Sequence, residues 1–229
     1  MRIFDLFKRK KKDIFIDKEV EIQKTELIPN TFNTVSKKQF QDKLVKYFDL
    51  KKYGFGISPD EKTHIFYGDI NNTNEIDFEG HILIIGNLKT NWVNLTSSDF
   101  SWRDSGGSLF VTGNIQADYL SNDFNRFVMI NGSLIIKKII NVEFEDSSLV
   151  VNGDLITEYY HGIDIPAEVQ GKIEINYGWG YCNDKNSKTI LPKNNIENSL
   201  KFLNVDKNCN SEQVNGIIKK RITNAQQRL

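Results

Sequence analysis

Six short apolar strands each run into a glycine, then a polar residue, then Leu or Ile. The copies are Gly68-Asp69-Ile70, Gly86-Asn87-Leu88, Gly113-Asn114-Ile115, Gly132-Ser133-Leu134, Gly153-Asp154-Leu155 and Gly171-Lys172-Ile173, at intervals of 18, 27, 19, 21 and 18 residues. A period in this range is the signature of a solenoid or array, in which one unit recurs and buries its apolar face on its neighbours.

Within each copy, apolar residues alternate with polar ones on both sides of the glycine. Leu109 and Val111, Val128 and Ile130, Leu149 and Val151, and Ile82 and Ile84 stand four and two positions before it. Ile70, Leu88, Ile115, Leu134, Leu155 and Ile173 stand two positions after it. Period two describes a strand with one buried face, so the unit reads as a strand that turns a corner and continues. The glycine lies on the inward parity, where close backbone approach, a bulge or a positive φ suits a residue without a side chain. Seven residues after the glycine, Val93, Leu120, Ile139 and Tyr160 supply a second inward position.

Two architectures compete for this pattern. Strands spaced by eight to twelve residues also suit an antiparallel sandwich or barrel. A meander, however, needs a turn signal at half the observed distance, whereas the same corner recurs here at the distance of a full coil. The expected fold is therefore all-β: a short-coil parallel β-solenoid (β-helix) of about six coils with α-helical caps at both ends. At about 4.8 Å per rung, six coils make a rod on the order of 30 Å long.

The appendages divide the chain into a basic leader and linker over 1–35, an N-terminal capping helix over 36–57, the solenoid over 58–182 and a C-terminal helical cap or tail over 183–229. Ser36 is placed to cap a helix running to about Leu50, with Phe40, Leu44, Val45 and Phe48 on one face. After Cys182 the repeat stops. Asn195 to Leu203 and Glu212 to Leu229 carry helical spacing, the second through Val214, Ile217, Ile218 and Ile222. Covering a solenoid's open end would block edge pairing and aggregation.

Charge is uneven along a chain that is neutral overall, with 30 basic and 30 acidic residues. The first twelve residues hold Arg2, Lys8, Arg9, Lys10, Lys11 and Lys12 against Asp5 alone, which leaves a mildly acidic body. Such a body does not suit nucleic acid, which demands a concentrated basic surface. Ile3, Phe4, Leu6 and Phe7 beside the basic run suit either weak contact with an anionic membrane surface or a solvated leader. No apolar run reaches the eighteen residues of a spanning helix, and the amino terminus lacks a signal-peptide pattern, so the expected location is cytoplasmic. Cys182 and Cys209 form no CxxC pair and read as reduced thiols.

Catalytic motifs are missing: no P-loop, GxSxG, HExxH or dinucleotide fingerprint occurs. Ser105-Gly106-Gly107-Ser108 lacks the lysine of a phosphate cradle and reads as a turn. His64, His81 and His161 are scattered, which suggests strand-end hydrogen bonding and gives no metal site. Asp99, Asp104, Asp123, Glu143, Glu145 and Asp146 are the acids that a sugar-cleaving groove would draw on, although short uniform coils leave little room for one. No cofactor is expected.

The 27-residue interval holds an insertion of about eight residues relative to its neighbours, and in repeat proteins insertions often map to the binding face. Asp99, Phe100, Trp102, Arg103 and Asp104 within it mix aromatics with charge, as interface hot spots do. The alternative is that Phe100 and Trp102 fold back over a gap in the solenoid. A second aromatic concentration, Tyr159-Tyr160-His161 and then Tyr177, Trp179 and Tyr181, either seals the last coil or offers a sticky platform.

The corner motif, the period near twenty, the short coils and the basic leader resemble the bacterial polymer-forming β-solenoid proteins called bactofilins, over about residues 64–175. The resemblance implies a nucleotide-free scaffold that assembles end to end with its leader on the membrane. The irregular period, the insertion and the expected caps depart from that pattern. The sequence thus points to a non-enzymatic protein-interaction module, of inhibitor or immunity type, binding a protein partner through the solenoid face and the 96–107 insertion. A self-assembling scaffold is the second reading and a polysaccharide-acting enzyme the third.

Overall fold

The computed structural model describes residues 31–58, 61–72, 75–77, 80–95, 107–122, 126–142, 148–162, 167–179, 182–183, 189–190, 196–204, 209 and 211–226. In chain order the elements begin with β1 (Phe32–Thr34), α1 (Lys37–Leu44), β2 (Thr63–Tyr67), β3 (Ile70–Asn71) and β4 (Glu75–Asp77). Next come β5 (Gly80–Ile85), β6 (Leu88–Lys89), β7 (Trp92–Leu95), β8 (Gly107–Val111), β9 (Ile115–Asn122), β10 (Arg126–Ile130) and β11 (Leu134–Val142). The last are β12 (Ser148–Val151), β13 (Leu155–Gly162), β14 (Ala167–Val169), β15 (Ile173–Trp179), β16 (Cys182–Asn183), β17 (Thr189–Ile190), α2 (Ile196–Leu203) and α3 (Ser211–Gln226).

The fold is mostly β, two parallel sheets wound as a β-solenoid of about four turns. The first sheet carries β2-β5-β8-β10-β12-β14-β16 in parallel, and the second carries β3-β6-β9-β11-β13-β15, with β7 joining β4 to β9. Parallel rungs exclude the antiparallel meander, and neighbouring strands align residue on residue: Ile82 with Leu109, Leu109 with Val128, and Val128 with Leu149. No helix among the described residues is long and apolar enough to cross a membrane.

The inward columns named by the sequence pattern fill the space between the sheets. Ile82, Ile84, Leu109, Val111, Val128, Ile130, Leu149 and Val151 from the first sheet meet Leu88, Ile115, Leu134 and Leu155 from the second in one buried cluster. Tyr160 is fully buried among them, its hydroxyl accepting a 3.3 Å bond from the backbone N–H of Ala167 on the next rung. One inward assignment fails. The register of β11 shifts between Ile136 and Ile139, so Ile140, not Ile139, aligns with Leu120 and Tyr160. The bulge adds a residue, and because side chains alternate faces, that single slip turns Ile139 outward.

The helices do not sit over the solenoid's ends. Phe40 and Leu44 of α1, with Phe48 after it, pack on Ile65, Leu83, Phe110, Met129 and Val150, the outward-facing residues of five successive strands in the first sheet. α1 is a single short helix because the chain turns after Leu44, and Leu50, Tyr53, Phe55 and Ile57 continue the cover without helical structure. On the opposite flank, Leu200, Leu203, Val214, Ile218 and Ile222 of α2 and α3 pack on Trp92, Tyr119, Ile139 and Tyr159, one outward column of the second sheet, while Lys89, Gln116 and Glu174 of the other are exposed. An amphipathic helix needs an apolar surface, and here the outward aliphatic and aromatic residues of the sheets provide it. At both ends of the first sheet a short antiparallel strand closes the edge: β1 lies on β2, and β17 on β16. An antiparallel terminal strand interrupts the parallel register that another rung would need.

Candidate functional site

The two long edges of the solenoid differ in kind. Along the first edge run the glycine bends. From Gly113 onward each glycine N–H donates to the carbonyl of the glycine one rung before: Gly113 to Gly86 at 2.9 Å, then Gly132 to Gly113, Gly153 to Gly132 and Gly171 to Gly153, each at 3.0 Å. A Cβ on Gly132 would lie 2.5 Å from the Gly113 carbonyl oxygen, so close backbone approach is what demands glycine here.

The polar residue after each glycine adds a second ladder that the sequence pattern did not disclose. Its side-chain oxygen accepts the backbone N–H of the equivalent residue on the next rung: Asp69 from Asn87 at 2.7 Å, Asn87 from Asn114 at 2.8 Å, and Asn114 from Ser133 at 2.7 Å. Ser133 then accepts from Asp154 at 3.0 Å, and Asp154 from Lys172 at 2.8 Å. Lys172 ends the series because an ammonium carries no acceptor; it pairs with Glu174 instead. This edge is uniform and its polar groups are committed to one another.

Along the second edge the chain returns from one sheet to the other. It leaves at Leu95, Asn122, Val142 and Gly162, which are in register, and re-enters at Gly107, Arg126, Ser148 and Ala167. The lengths of these returns are unequal, the longest joining Leu95 to Gly107. Two of their feet, Asn122 and Arg126, are buried and polar. Asn122 is fully buried and donates through Nδ2 to the carbonyls of Arg126 and Ser148, at 3.3 Å each, so one amide braces two consecutive rungs. Arg126 is buried beside Gly107, where a Cβ would lie 2.0 Å from its Nη1. One residue before the exits, Ser121, Asn141 and His161 align in a separate buried polar column.

Asp99, Phe100, Trp102, Arg103, Asp104 and Tyr181 lie outside the described residues, as do Asp123, Glu143, Glu145 and Asp146. The glycine-serine run is described only at Gly107 and Ser108, which open β8. Trp179 ends β15, and Tyr177 on the same strand is half-buried and stacks on Phe202 of α2 at 4.7 Å and 16°. Tyr159 stacks on the same Phe202 ring at 5.4 Å and 13°, so that Tyr177 and Tyr159 belong to the covered flank of the second sheet.

The structure also assembles a relay from residues far apart in sequence. His81 Nδ1 lies 2.8 Å from Ser108 Oγ, and its Nε2 lies 2.8 Å from Glu61 Oε2. A carboxylate only accepts, so Nε2 donates to Glu61, and in the neutral ring Nδ1 accepts from the Ser108 hydroxyl. Partial burial pushes the Glu61 carboxyl up, but the bonds from His81 and the Ser58 backbone outweigh it and hold the carboxyl below the usual range. The order of the groups is that of a nucleophilic triad, yet Ser108 is 1% exposed and His81 2%, and the rings of Phe40 and Phe55 lie against the imidazole. With the nucleophile walled off, the relay fastens Glu61 of the N-terminal segment to two rungs. Among the described residues no three His, Cys, Asp or Glu side chains are grouped to share a metal ion.

No protein-family model matches this chain, and neither a curated protein nor a solved structure matches it.

Proposed function

We propose that this chain is a non-enzymatic protein-interaction module, of inhibitor or immunity type, whose protein partner lies along the return edge with the 96–107 insertion as its anchor. On this reading the six glycine bends mark six rungs, and Phe100, Trp102 and Arg103 supply the contact that dominates affinity. The observation that carries the proposal is that the chain's own segments cover the outer face of the first sheet and the Trp92-to-Tyr159 column of the second. Of the two edges, one is filled by its own hydrogen-bond ladders and the other bears connections of unequal length, where a repeat scaffold can vary without disturbing its core. Self-assembly end to end, the bactofilin-like alternative, is disfavoured by the antiparallel strands on both ends of the first sheet.

The test compares the wild-type chain with Trp102→Ala and with a variant whose residues 96–106 are replaced by a short Gly-Ser linker. Each is tagged, expressed in its source cells and recovered with its bound proteins for quantitative mass spectrometry. A partner held by wild type should fall away from both variants, Trp102→Ala weakening it by about 2 kcal/mol, roughly thirtyfold in Kd. An identical set of bound proteins for all three chains rejects the insertion as the anchor. Filaments of the purified chain in light scattering would favour the scaffold.

A further inference from the structure

A cleft of about 560 Å³ opens between the outer face of the second sheet and the C-terminal helices, lined by Tyr119, Lys138 and Ile139 on the sheet side and Phe202, Arg221 and Ala225 on the helical side. Its volume falls within the range of small-molecule sites, and it lies at a junction between layers, where such sites concentrate. Each wall carries a ring with a cation above it. Lys138 Nζ stands 4.9 Å from the centre of the Tyr119 ring, and the Arg221 guanidinium stands 5.8 Å from that of Phe202. The Phe202 ring does not adapt freely, because it is stacked on both Tyr159 and Tyr177.

The charges of the lining do not cancel. Lys138 and Arg221 face one acid, Glu158. Lys138 is tied to Asp118 at 2.9 Å, and this bond raises its pKa. Arg221 donates from one nitrogen to the Leu203 carbonyl at the end of α2, which orients the guanidinium while leaving other N–H donors of the group. Two oriented cations beside two flat rings recognise a particular chemistry: a negative group for the cations and a planar apolar body for the rings.

We propose that this cleft binds a small anion carrying a flat ring, with the anionic group held by Lys138 and Arg221 and the ring laid against Tyr119 and Phe202. Its two walls come from the solenoid and from helices that follow it in sequence, so the occupant also fastens the C-terminal cover to the sheet. Binding to the folded form alone stabilises it by mass action.

Anilinonaphthalene sulfonate is the probe, with phenylnaphthylamine, which lacks the sulfonate, as its neutral counterpart. Fluorescence titration of the full chain should show saturable sulfonate binding at one equivalent, about tenfold tighter than the neutral dye. Lys138→Gln and Arg221→Gln should each weaken the sulfonate by about fivefold or more and leave the neutral dye unaffected. Ala225→Trp, which fills the cleft without changing charge, should exclude both dyes. Circular dichroism confirms that each variant is folded; should Arg221→Gln fail because its bond to Leu203 is lost, Lys138→Gln and Ala225→Trp carry the test. Absence of saturable binding, equal affinity for the two dyes, or undiminished sulfonate binding by folded variants overturns the proposal.

Discussion

The two covers of the solenoid perform the same task by different means. The N-terminal segment crosses the first sheet along the rod's axis and is fastened repeatedly. β1 pairs with β2, the carbonyl of Tyr47 accepts from Asn131 at 2.9 Å, Glu61 meets His81, and Lys52 and Tyr53 reach Glu168 on β14 at 2.7 and 3.1 Å. The C-terminal helices lay an apolar slab on the second sheet, keyed by the Phe202 ring stacked on Tyr159 and Tyr177. Hydrogen bonds spread over successive rungs make the first cover inseparable from them. Burial of one continuous stripe gives the second its own cooperative unit, the kind of region that opens before the rest of a fold.

Substitution at the centre of each cover separates these behaviours. Phe110 is fully buried, with the rings of Phe48, Phe55 and Phe127 at 5.3, 5.1 and 5.7 Å. Phe110→Ala should cost about 3–5 kcal/mol, read as a lower urea midpoint of one transition in which strands and N-terminal segment unfold together. Release of residues 37–57 alone, seen as fast amide exchange confined to them, would break the comparison. Phe202→Ala, at a half-buried ring, should cost about 2 kcal/mol and act locally. Amides of 196–226 should exchange faster while those of 107–162 keep their protection; equal acceleration in both would make the second cover as integral as the first.

The corners were legible in the sequence because their requirement is steric and strictly local. A residue whose Cβ would strike the previous rung's carbonyl must be glycine at every rung, and so the spacing shows directly. The bulge in β11 is not legible, since Lys137-Lys138 does not announce an extra residue, and the spacing puts Ile139 on the wrong face. The sequence pattern shows the covers as helices but points them to the ends. A signal for their true position was present: Leu83 between Ile82 and Ile84, Phe110 between Leu109 and Val111, and Val150 between Leu149 and Val151 break the alternation into continuous apolar runs. Such runs mark strands buried on both faces. The relay of Glu61, His81 and Ser108 leaves no signal, because His81 and Ser108 meet through rung register and Glu61 reaches them from the segment before β2.

A single polar tie of the first cover can be isolated at Glu61. Its carboxyl is held below the usual range in the folded protein, so its stabilisation is fully present above the unfolded value of about 4.3 and is lost as pH falls through the folded value. Glu61→Gln should cost about 1 kcal/mol near pH 7 and flatten the acid limb of the stability curve below about pH 4.3, measured as urea midpoints at a series of pH values. An acid limb as steep as that of wild type would show that the carboxylate does not fasten the segment.

Gly216 sharpens the comparison from the other side, by strengthening the looser cover. It lies within α3, is exposed, and a Cβ built on it meets nothing within 4 Å. Glycine within a helix leaves more conformational freedom to the unfolded chain than alanine does, so Gly216→Ala should stabilise α3 by about 0.5–1 kcal/mol without making a new contact. If the C-terminal cover opens as its own unit, the gain appears as slower amide exchange over 211–226 and leaves the exchange of the rungs from 107 to 162 unchanged. If cover and solenoid open only together, the same substitution slows exchange in both by the same factor, and the distinction between a fastened segment and a docked slab disappears.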